Sequence, residues 1–294
     1  MYFLSIAAML LLEHFQPRPA RLRLPAPFLR YTAAVTRRLK LADTRGAFSW
    51  SIAILPPVVA VAAASYALYR ISPLLAWLLN VAVLYLSVEF TTFSRHAGVM
   101  AEALAANRLD EAHGRLEKWS GRRLEHCGEG EMTRLAVEQT LIGAYRDLFG
   151  GLAWFVVFGP AGALAYRLAA IVGQTEDARG GDHFAGRVLD WMDWLPVRAV
   201  ALSFAVAGNF QDALECWRNQ ASSWRDAAEG ILLASAAGAL GVKLGGAVPA
   251  DEEDRPELGA GEEADAGHIQ SAIGINWRIL VLWLALLLLF AWVK

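Results

Sequence analysis

Long apolar segments without charges divide the chain into blocks that predict membrane-spanning helices. Residues 47–69 carry no charge, and this segment exceeds the ~20 residues that a helix needs to cross a bilayer. Further apolar segments end near Phe90 and cover residues 148–172 and 279–293. We therefore predict four transmembrane helices, of which the first two form a hairpin around Ser72-Pro73.

Three shorter apolar segments give weaker signals. Residues 2–12 lack the basic region and the small-residue cleavage site of a signal peptide, so we interpret them as a short or tilted first span. Residues 195–206 are too short to cross alone unless their helix starts within the tryptophan-rich residues 191–194. Residues 230–244 are rich in Ala and Gly and are expected to pack against other helices. The predicted fold is all-α: a polytopic helical membrane protein with about four to five transmembrane helices and a cytoplasmic helical subdomain.

Basic residues set the expected orientation. Residues 18–45 contain eight arginines and lysines but one acid, Asp43, and short loops rich in these basic residues stay in the cytoplasm. Residues 13–46 are therefore predicted to be cytoplasmic, and the hairpin returns residues 94–147 to the same side. Gly159-Pro160 interrupts the third span and leaves two alternatives. A straight span places residues 174–194 outside, whereas a broken, re-entrant one returns them to the cytoplasm.

The pattern divides the chain into four segments. Residues 1–93 hold the first span, the basic loop and the hairpin, and residues 94–147 form a helical subdomain with a turn at Asn107-Arg108. Residues 148–248 contain the broken span, the tryptophan-rich segment and the Ala/Gly-rich helix, and residues 249–294 contain an acidic linker and the last span. Within the last segment, acidic residues 251–265 are interpreted as a flexible, solvated linker.

Composition excludes several classes of function. Apolar residues make up 56% of the chain and charged residues 19%, and the net charge of −2 gives no indication of nucleic-acid binding. Two cysteines and six dispersed histidines form no metal-ligand pattern, and no phosphate-loop or hydrolase motif is present. We expect no metal, no cofactor and no catalytic residues, and the lipid bilayer is the expected partner.

Two groups of polar residues are candidates for function. Glu89 and Arg167 lie nearest the interior of predicted spans, where ionisable residues are functional candidates, although snorkelling to the interface is an alternative. In residues 182–198, Arg187, Asp190 and Asp193 are expected along one helix face. This segment is either an interfacial amphipathic helix or a polar site covered by aromatic side chains.

Two segments carry a resemblance to a known family. They read V-L-D-W-M-D-W-L-P-V-R at residues 188–198 and A-V-A-G-N-F-Q-D-A-L-E-C-W at residues 205–217. The chain resembles the CobD/CbiB (adenosylcobinamide-phosphate synthase) superfamily, and more closely its AmpE branch. The resemblance implies an inner-membrane signalling modulator associated with β-lactamase induction.

The synthase branch has motifs that can be placed on this chain without gaps. Agreement is found at Gly121, Arg122, Arg134, Val137, Glu138, Gly159-Pro160, Tyr166-Arg167, Arg187, Asp190, Pro196 and Arg198. An aspartate of the first motif falls on Arg123, and the Glu-Asn pair of the second falls on Ile142-Gly143, with its aspartate on Arg146. Downstream, an aspartate has become Leu189 and an asparagine Asp193. Since magnesium bound to phosphates needs hard oxygen ligands, these differences predict that the ligase chemistry is lost.

The leading interpretation is therefore an AmpE-like regulator in the bacterial inner membrane, with another membrane or cell-wall recycling protein as a candidate partner. The alternatives are an enzyme of the cobalamin pathway that joins an aminopropanol moiety to a corrinoid acid, and a small-molecule transporter. A candidate anion pocket is predicted from the surviving polar positions, although internal ion pairs are an alternative role for them. The pocket comprises Arg122, Arg134, Glu138, Arg187, Asp190, Asp193 and Arg198.

Overall fold

The computed structural model describes residues 2–15, 31, 46–89, 91–121, 124, 127–173, 184–247 and 255–293. Four of its helical segments are long and apolar enough to cross a membrane: Trp50–Ile71, Pro73–Ala105, Glu129–Phe158 and Ala266–Trp292. The prediction of an all-α polytopic membrane protein is confirmed. Most of the basic first loop lies outside the described residues, so the orientation stays a prediction.

The helices, numbered in chain order, follow the predicted apolar blocks with a few changes of boundary. They are α1 (Tyr2–Phe15), α2 (Gly46–Ile71), α3 (Pro73–Ser87), α4 (Thr91–Ala105), α5 (Leu109–Ser120), α6 (Glu129–Ala144), a π-helical turn (Tyr145–Phe149), α7 (Gly150–Phe158), α8 (Pro160–Gly173), α9 (Phe184–Ala207), α10 (Phe210–Gln220), a 3₁₀ turn (Ala221–Ser223), α11 (Ala227–Leu240) and α12 (Ala266–Val293). Two short strands, β1 (Leu244–Gly245) and β2 (Glu257–Leu258), pair between α11 and α12.

The chain folds as two compact units. Unit 1 comprises Met1–Thr91 and Arg146–Pro196, and unit 2 comprises Thr92–Tyr145 and Val197–Lys294. The core of unit 1 forms where α2, α3, α8 and the start of α9 pack together, around residues such as Ile54, Val83 and Leu168. Large apolar side chains on the outer faces, including Tyr66 and Leu74, remain exposed, as expected for helices that face lipid.

A sharp reversal replaces the predicted third span. Gly159, between α7 and α8, has a φ of +66°, which side chains with a Cβ rarely adopt. The two helices then pack so closely that a Cβ on Gly162 would lie 2.2 Å from the carbonyl oxygen of Trp154. Residues 148–172 therefore do not form one continuous helix, whereas the side of the membrane on which residues 174–194 lie stays a prediction.

Close helix packing in unit 2 explains the Ala/Gly-rich segment. In α11, residues Gly230 to Ala239 are all buried, and a Cβ on Gly238 would lie 2.3 Å from the backbone oxygen of Asp212 in α10. The expectation that residues 230–244 pack against helices rather than lipid is confirmed. The predicted turn at Asn107-Arg108 is also confirmed, since it separates α4 from α5.

The predicted solvated linker is wrong from Arg255 onward. Leu258 pairs with Leu244 and Glu257 with Gly245 in an antiparallel ladder, and the backbone N–H of Lys243 donates to the carbonyl oxygen of Glu262 (2.8 Å). Leu258 is fully buried. Burial of this leucine and the strand pairing hold the segment against unit 2, despite its acidic composition. Residues 251–254 lie outside the described residues.

Candidate functional site

Unit 1 contains a buried cluster of three charged side chains. Arg167 donates from Nη2 to Glu89 Oε1 (2.9 Å) and from Nη1 to Asp147 Oδ1 (2.6 Å). The side chains of Arg167 and Glu89 are about nine-tenths buried, and that of Asp147 is 27% exposed. Glu89 and Arg167 are therefore paired with each other inside the unit rather than extended to its surface.

Three different backbone features position the cluster. Glu89 follows α3, which ends because Val88 is extended, and its N–H donates to the carbonyl oxygen of Asp147 (2.8 Å). Asp147 lies in the π-helical turn Tyr145–Phe149, and Arg167 is in α8. Because π turns often occur at functional sites, the position of Asp147 makes this cluster a candidate site.

The π turn also changes how the family motif matches the chain. A π turn contains one residue more than an α turn, so it accommodates a one-residue insertion. Placement without gaps assigned the aspartate of the motif to Arg146, but the carboxylate next in sequence, Asp147, is the one that binds Arg167. Asp147, and not Arg146, is therefore the residue at this point of the chain whose carboxylate contacts Arg167. At the Glu-Asn position, Ile142 is buried and Gly143 lies against Phe93, while Arg123 lies outside the described residues.

A second buried contact joins α8 to α9. The hydroxyl group of Tyr166 donates to Asp193 Oδ1 (2.8 Å), and Asp193 is 5% exposed. Arg187 and Asp190 are exposed, so the prediction of one shared face fails for Asp193. This follows from helix geometry, because residues six apart are separated by about 120° of rotation.

Aromatic side chains of α9 lie mostly on the outside of the helix. Trp191 and Trp194 are 73% and 57% exposed, and the indole N–H of Trp154 donates to the carbonyl oxygen of Met192 (3.1 Å). The tryptophans of α9 therefore do not cover Asp193. Their exposure is typical of an interfacial amphipathic helix, the first of the two interpretations for this segment.

Unit 2 contains a separate polar cluster around Glu138, which is 1% exposed. One carboxylate oxygen of Glu138 accepts from the backbone N–H of Gly245 (2.7 Å), and the other accepts from Nη2 of Arg255. The guanidinium group of Arg255 also lies over the ring of Trp224, 4.8 Å from its centre. One turn before Glu138, Arg134 donates from Nη2 to the carbonyl oxygen of Ala247 (2.8 Å). Glu138 and Arg134 thus fasten the β1–β2 segment to α6.

The seven residues of the predicted anion pocket are distributed over both units. Arg134, Glu138 and Arg198 belong to unit 2, whereas Arg187, Asp190 and Asp193 belong to unit 1. Arg122 lies outside the described residues. The pocket that combines all seven stays a prediction.

Sequence reasoning missed two of the charged residues in these clusters, Asp147 and Arg255. The gapless placement put the aspartate of the motif on Arg146, one position before Asp147. Arg255 is the one basic residue among the acids of residues 251–265, and this isolated positive charge was a signal that the segment docks onto a carboxylate.

The described residues contain no cluster of three His, Cys, Asp or Glu side chains suited to a metal ion. In unit 1, Glu89 and Asp147 both bind Arg167, so their oxygens already neutralise a cation. The magnesium site that the resemblance implies therefore does not fit the described side chains as they are arranged.

Comparison with known proteins assigns the chain to a family. A family model described as CobD/Cbib protein matches residues 6–276. The chain belongs to the CobD/CbiB family. The cobalamin biosynthesis protein CobD of Stutzerimonas stutzeri is 33% identical over 306 aligned positions, which cover 99% of this chain and 98% of that protein. The CobD protein of Chromobacterium violaceum is 34% identical and covers 97% of this chain and 94% of its own length.

More distant CobD relatives match a part of the chain. The protein of Mycobacterium tuberculosis, for example, is 25% identical over 63% of both chains. No solved structure gives a significant match. The prediction of an AmpE-like regulator is wrong, because the relatives that align over nearly the full length of this chain are named as cobalamin biosynthesis proteins.

Proposed function

We propose that this protein works in cobalamin biosynthesis as an adenosylcobinamide-phosphate synthase-type enzyme in the bacterial inner membrane. The observation that carries the proposal is the full-length similarity to the CobD proteins of two bacteria, at 33% and 34% identity. A match over nearly the whole of both chains means that both units of the fold have counterparts in these relatives.

The buried cluster of unit 1 supports an enzyme rather than a degenerate relative of one. The argument for lost chemistry depended on carboxylates replaced by other residues. We infer that Asp147 supplies one of these carboxylates, because it lies one position after the expected place and pairs with Arg167, which also binds Glu89. A buried arrangement of two carboxylates and one arginine costs desolvation energy, so it is a candidate for a role in function rather than in stability alone.

The proposed reaction forms an amide bond between an amino group and a corrinoid carboxyl group. The corrinoid carboxylate oxygen attacks the terminal phosphorus of a nucleoside triphosphate, which forms an acyl phosphate and releases the nucleoside diphosphate. The amine nitrogen then attacks the carbonyl carbon, loses a proton to solvent, and phosphate leaves with the oxygen. Guanidinium groups suit such phosphate-bearing reactants because they bind oxyanions in bidentate fashion.

Complementation tests this function. A bacterial strain that lacks its synthase and depends on cobalamin for growth is supplied with the corrinoid acid precursor and with this gene. We expect growth with the wild-type gene and none with an empty vector or with the Asp147→Asn variant at equal membrane abundance. Absence of growth with an abundant wild-type protein would contradict the proposal. A transporter, the remaining alternative, would not restore growth, since it makes no amide product.

A further inference from the structure

Two arginine donors in unit 2 are buried without a hydrogen-bond partner among the described residues. They are Nη1 of Arg255 and Nε of Arg134. The side chain of Arg255 is nine-tenths buried. Buried polar groups are nearly always satisfied, and a buried charged donor without a partner is costly. The protein therefore has two strong donors in place for an acceptor that its own described side chains do not supply.

Each guanidinium group is held in position by its other contacts. Arg255 is fixed by the carboxylate of Glu138 and by the ring of Trp224. Arg134 is fixed by the carbonyl oxygen of Ala247. Each of these hydrogen bonds uses one N–H donor of the guanidinium group. The other N–H donors of the same group are therefore held in fixed positions. Pre-organised donors bind a ligand with a smaller entropy cost than free side chains do.

Arg134 contacts the backbone at Ala247, and Arg255 is linked to the neighbouring Gly245 through Glu138. The carboxylate of Glu138 that holds Arg255 also accepts from the N–H of Gly245 (2.7 Å). Next to it, Gly246 has a φ of +77°, and a Cβ at this position would lie 2.8 Å from Nη1 of Arg134. Glycine at position 246 therefore leaves room for the guanidinium group against the backbone.

The local charge favours an anion. Arg134 and Arg255 contribute two positive charges, and Glu138 contributes one buried negative charge. Glu257 is exposed, and Lys243 is paired with the exposed Glu263 (3.1 Å). These three side chains therefore carry a net charge of +1, with Arg134 half-buried beside the neutral Arg255–Glu138 pair, which suits a group that offers several oxygen acceptors.

We propose that Arg134 and Arg255 bind a phosphate group of a soluble reactant, with Glu138 as the residue that positions Arg255. The identity of that reactant rests on the proposed function, but binding of phosphate to this cluster does not. This phosphate site differs from the seven-residue pocket expected from the sequence, because it lies wholly within unit 2 and depends on Arg255.

Thermal unfolding of the purified full-length protein in nanodiscs tests this proposal. The probe is inorganic phosphate, compared with chloride at equal ionic strength. A ligand that binds the folded state raises the unfolding temperature in a concentration-dependent way. We expect phosphate to stabilise the wild-type protein. We expect Arg134→Gln and Arg255→Gln each to weaken its apparent affinity about 10- to 100-fold, the range for loss of charge-assisted hydrogen bonds.

The choice of variants keeps the test informative. Arg134→Gln removes one of the two contacts that fasten the β1–β2 segment to α6 and retains the other, through Glu138 and Arg255, so its unfolding temperature without phosphate is measured first. Arg218→Gln, on the exposed surface of α10, removes the same charge from unit 2 and should bind phosphate as the wild type does. The proposal is overturned if phosphate does not stabilise the wild type, or if Arg134→Gln binds phosphate as well as Arg218→Gln does.

The lipid content of the nanodiscs separates soluble phosphate from lipid phosphate. We expect the effect of added phosphate to be the same in neutral phosphatidylcholine and in anionic phosphatidylglycerol. If phosphatidylglycerol raises the unfolding temperature and added phosphate does not, the bound group is a lipid headgroup, and the proposal of a soluble reactant is wrong. If the wild-type gene complements the synthase strain but phosphate does not bind, the phosphate site fails while the proposed function stands.

Discussion

Arg167 and Glu89 lie 78 positions apart in the chain and are joined by a buried ion pair of 2.9 Å between Nη2 and Oε1. Asp147 completes the group from a third segment, at 2.6 Å from Nη1. Three parts of unit 1 that are distant in sequence are thereby tied at one point. Such a group is sensitive to substitution, because removal of one partner leaves an uncompensated buried charge.

We predict that Arg167→Gln lowers the free energy of unfolding of the protein by about 3–5 kcal/mol, the cost of breaking a buried ion pair. The matched control is Arg115→Gln, which breaks an exposed ion pair with Glu111 (2.7 Å) and should have little effect because solvent screens such pairs. Denaturant unfolding in detergent measures both variants. Equal effects of the two substitutions would mean that the buried cluster does not stabilise unit 1.

The π turn predicts which of two neighbouring residues matters for activity. Asp147→Asn removes the carboxylate charge that binds Arg167, and we expect it to abolish complementation. Arg146→Gln changes the residue that the gapless motif placement had selected, and we expect growth to persist. Both variants need equal abundance in the membrane fraction, measured by immunoblot. Growth with Asp147→Asn but not with Arg146→Gln would show that the one-residue shift is wrong.

The helical reversal at Gly159-Pro160 predicts a steric effect at Gly162. A Cβ there would meet the backbone of Trp154 at 2.2 Å, and backbone atoms cannot move aside as a side chain can. We expect Gly162→Ala to lower the free energy of unfolding by about 1–3 kcal/mol, the usual cost of overpacking. Gly274→Ala in α12 is the control, since a Cβ there would meet nothing within 4 Å. A stable Gly162→Ala protein would contradict the close approach of α7 and α8.

Much of the fold could be predicted from the sequence because bilayer thickness restricts spans to long apolar segments. The hairpin around Ser72-Pro73 and the last span were correct for this reason. The reversal at Gly159-Pro160 was left open, since an apolar run of the same length fits one crossing or two short helices. Only the close approach of Gly162 to Trp154 decides between them.

The charged clusters were harder to predict because they depend on contacts between distant segments. Asp147 was missed because its ion pair with Arg167 joins a π turn to a helix 20 positions later, a contact that a sequence motif does not represent. Arg255 was missed because acidic composition indicated a solvated linker. A single arginine and a buried leucine, Leu258, were enough to dock this segment onto unit 2.

The orientation of the chain predicts opposite exposure of two turns. The basic first loop places the Asn107 turn in the cytoplasm and the Ser72 turn outside. In a background without native cysteines, Ala106→Cys should resist a membrane-impermeant thiol reagent in intact spheroplasts, and Ile71→Cys should react. Both positions are exposed, so access to the reagent depends on the side of the membrane. Reaction at Ala106→Cys before lysis would reverse the topology.

The native cysteines should react slowly in the wild-type protein at neutral pH. Burial, followed by the charge of Glu131, raises the pKa of the Cys127 thiol above its usual range. Because the thiolate is the nucleophile, a raised pKa lowers the reactive fraction at pH 7, and the rate should increase as the pH rises above 9. Alkylation of detergent-solubilised protein, followed by mass spectrometry at several pH values, measures this. Fast alkylation of Cys127 at pH 7 would contradict a half-buried thiol that is protonated at this pH.

The most direct test of the central claim is the reaction itself. Purified protein in nanodiscs is incubated with the corrinoid acid, an aminopropanol phosphate, a nucleoside triphosphate and magnesium, and the products are separated by mass. The account predicts a corrinoid that has gained the amine with loss of one water, formed by the wild type and not by Asp147→Asn. If folded wild-type protein forms no amide product while a CobD relative does so under the same conditions, the proposed function is wrong.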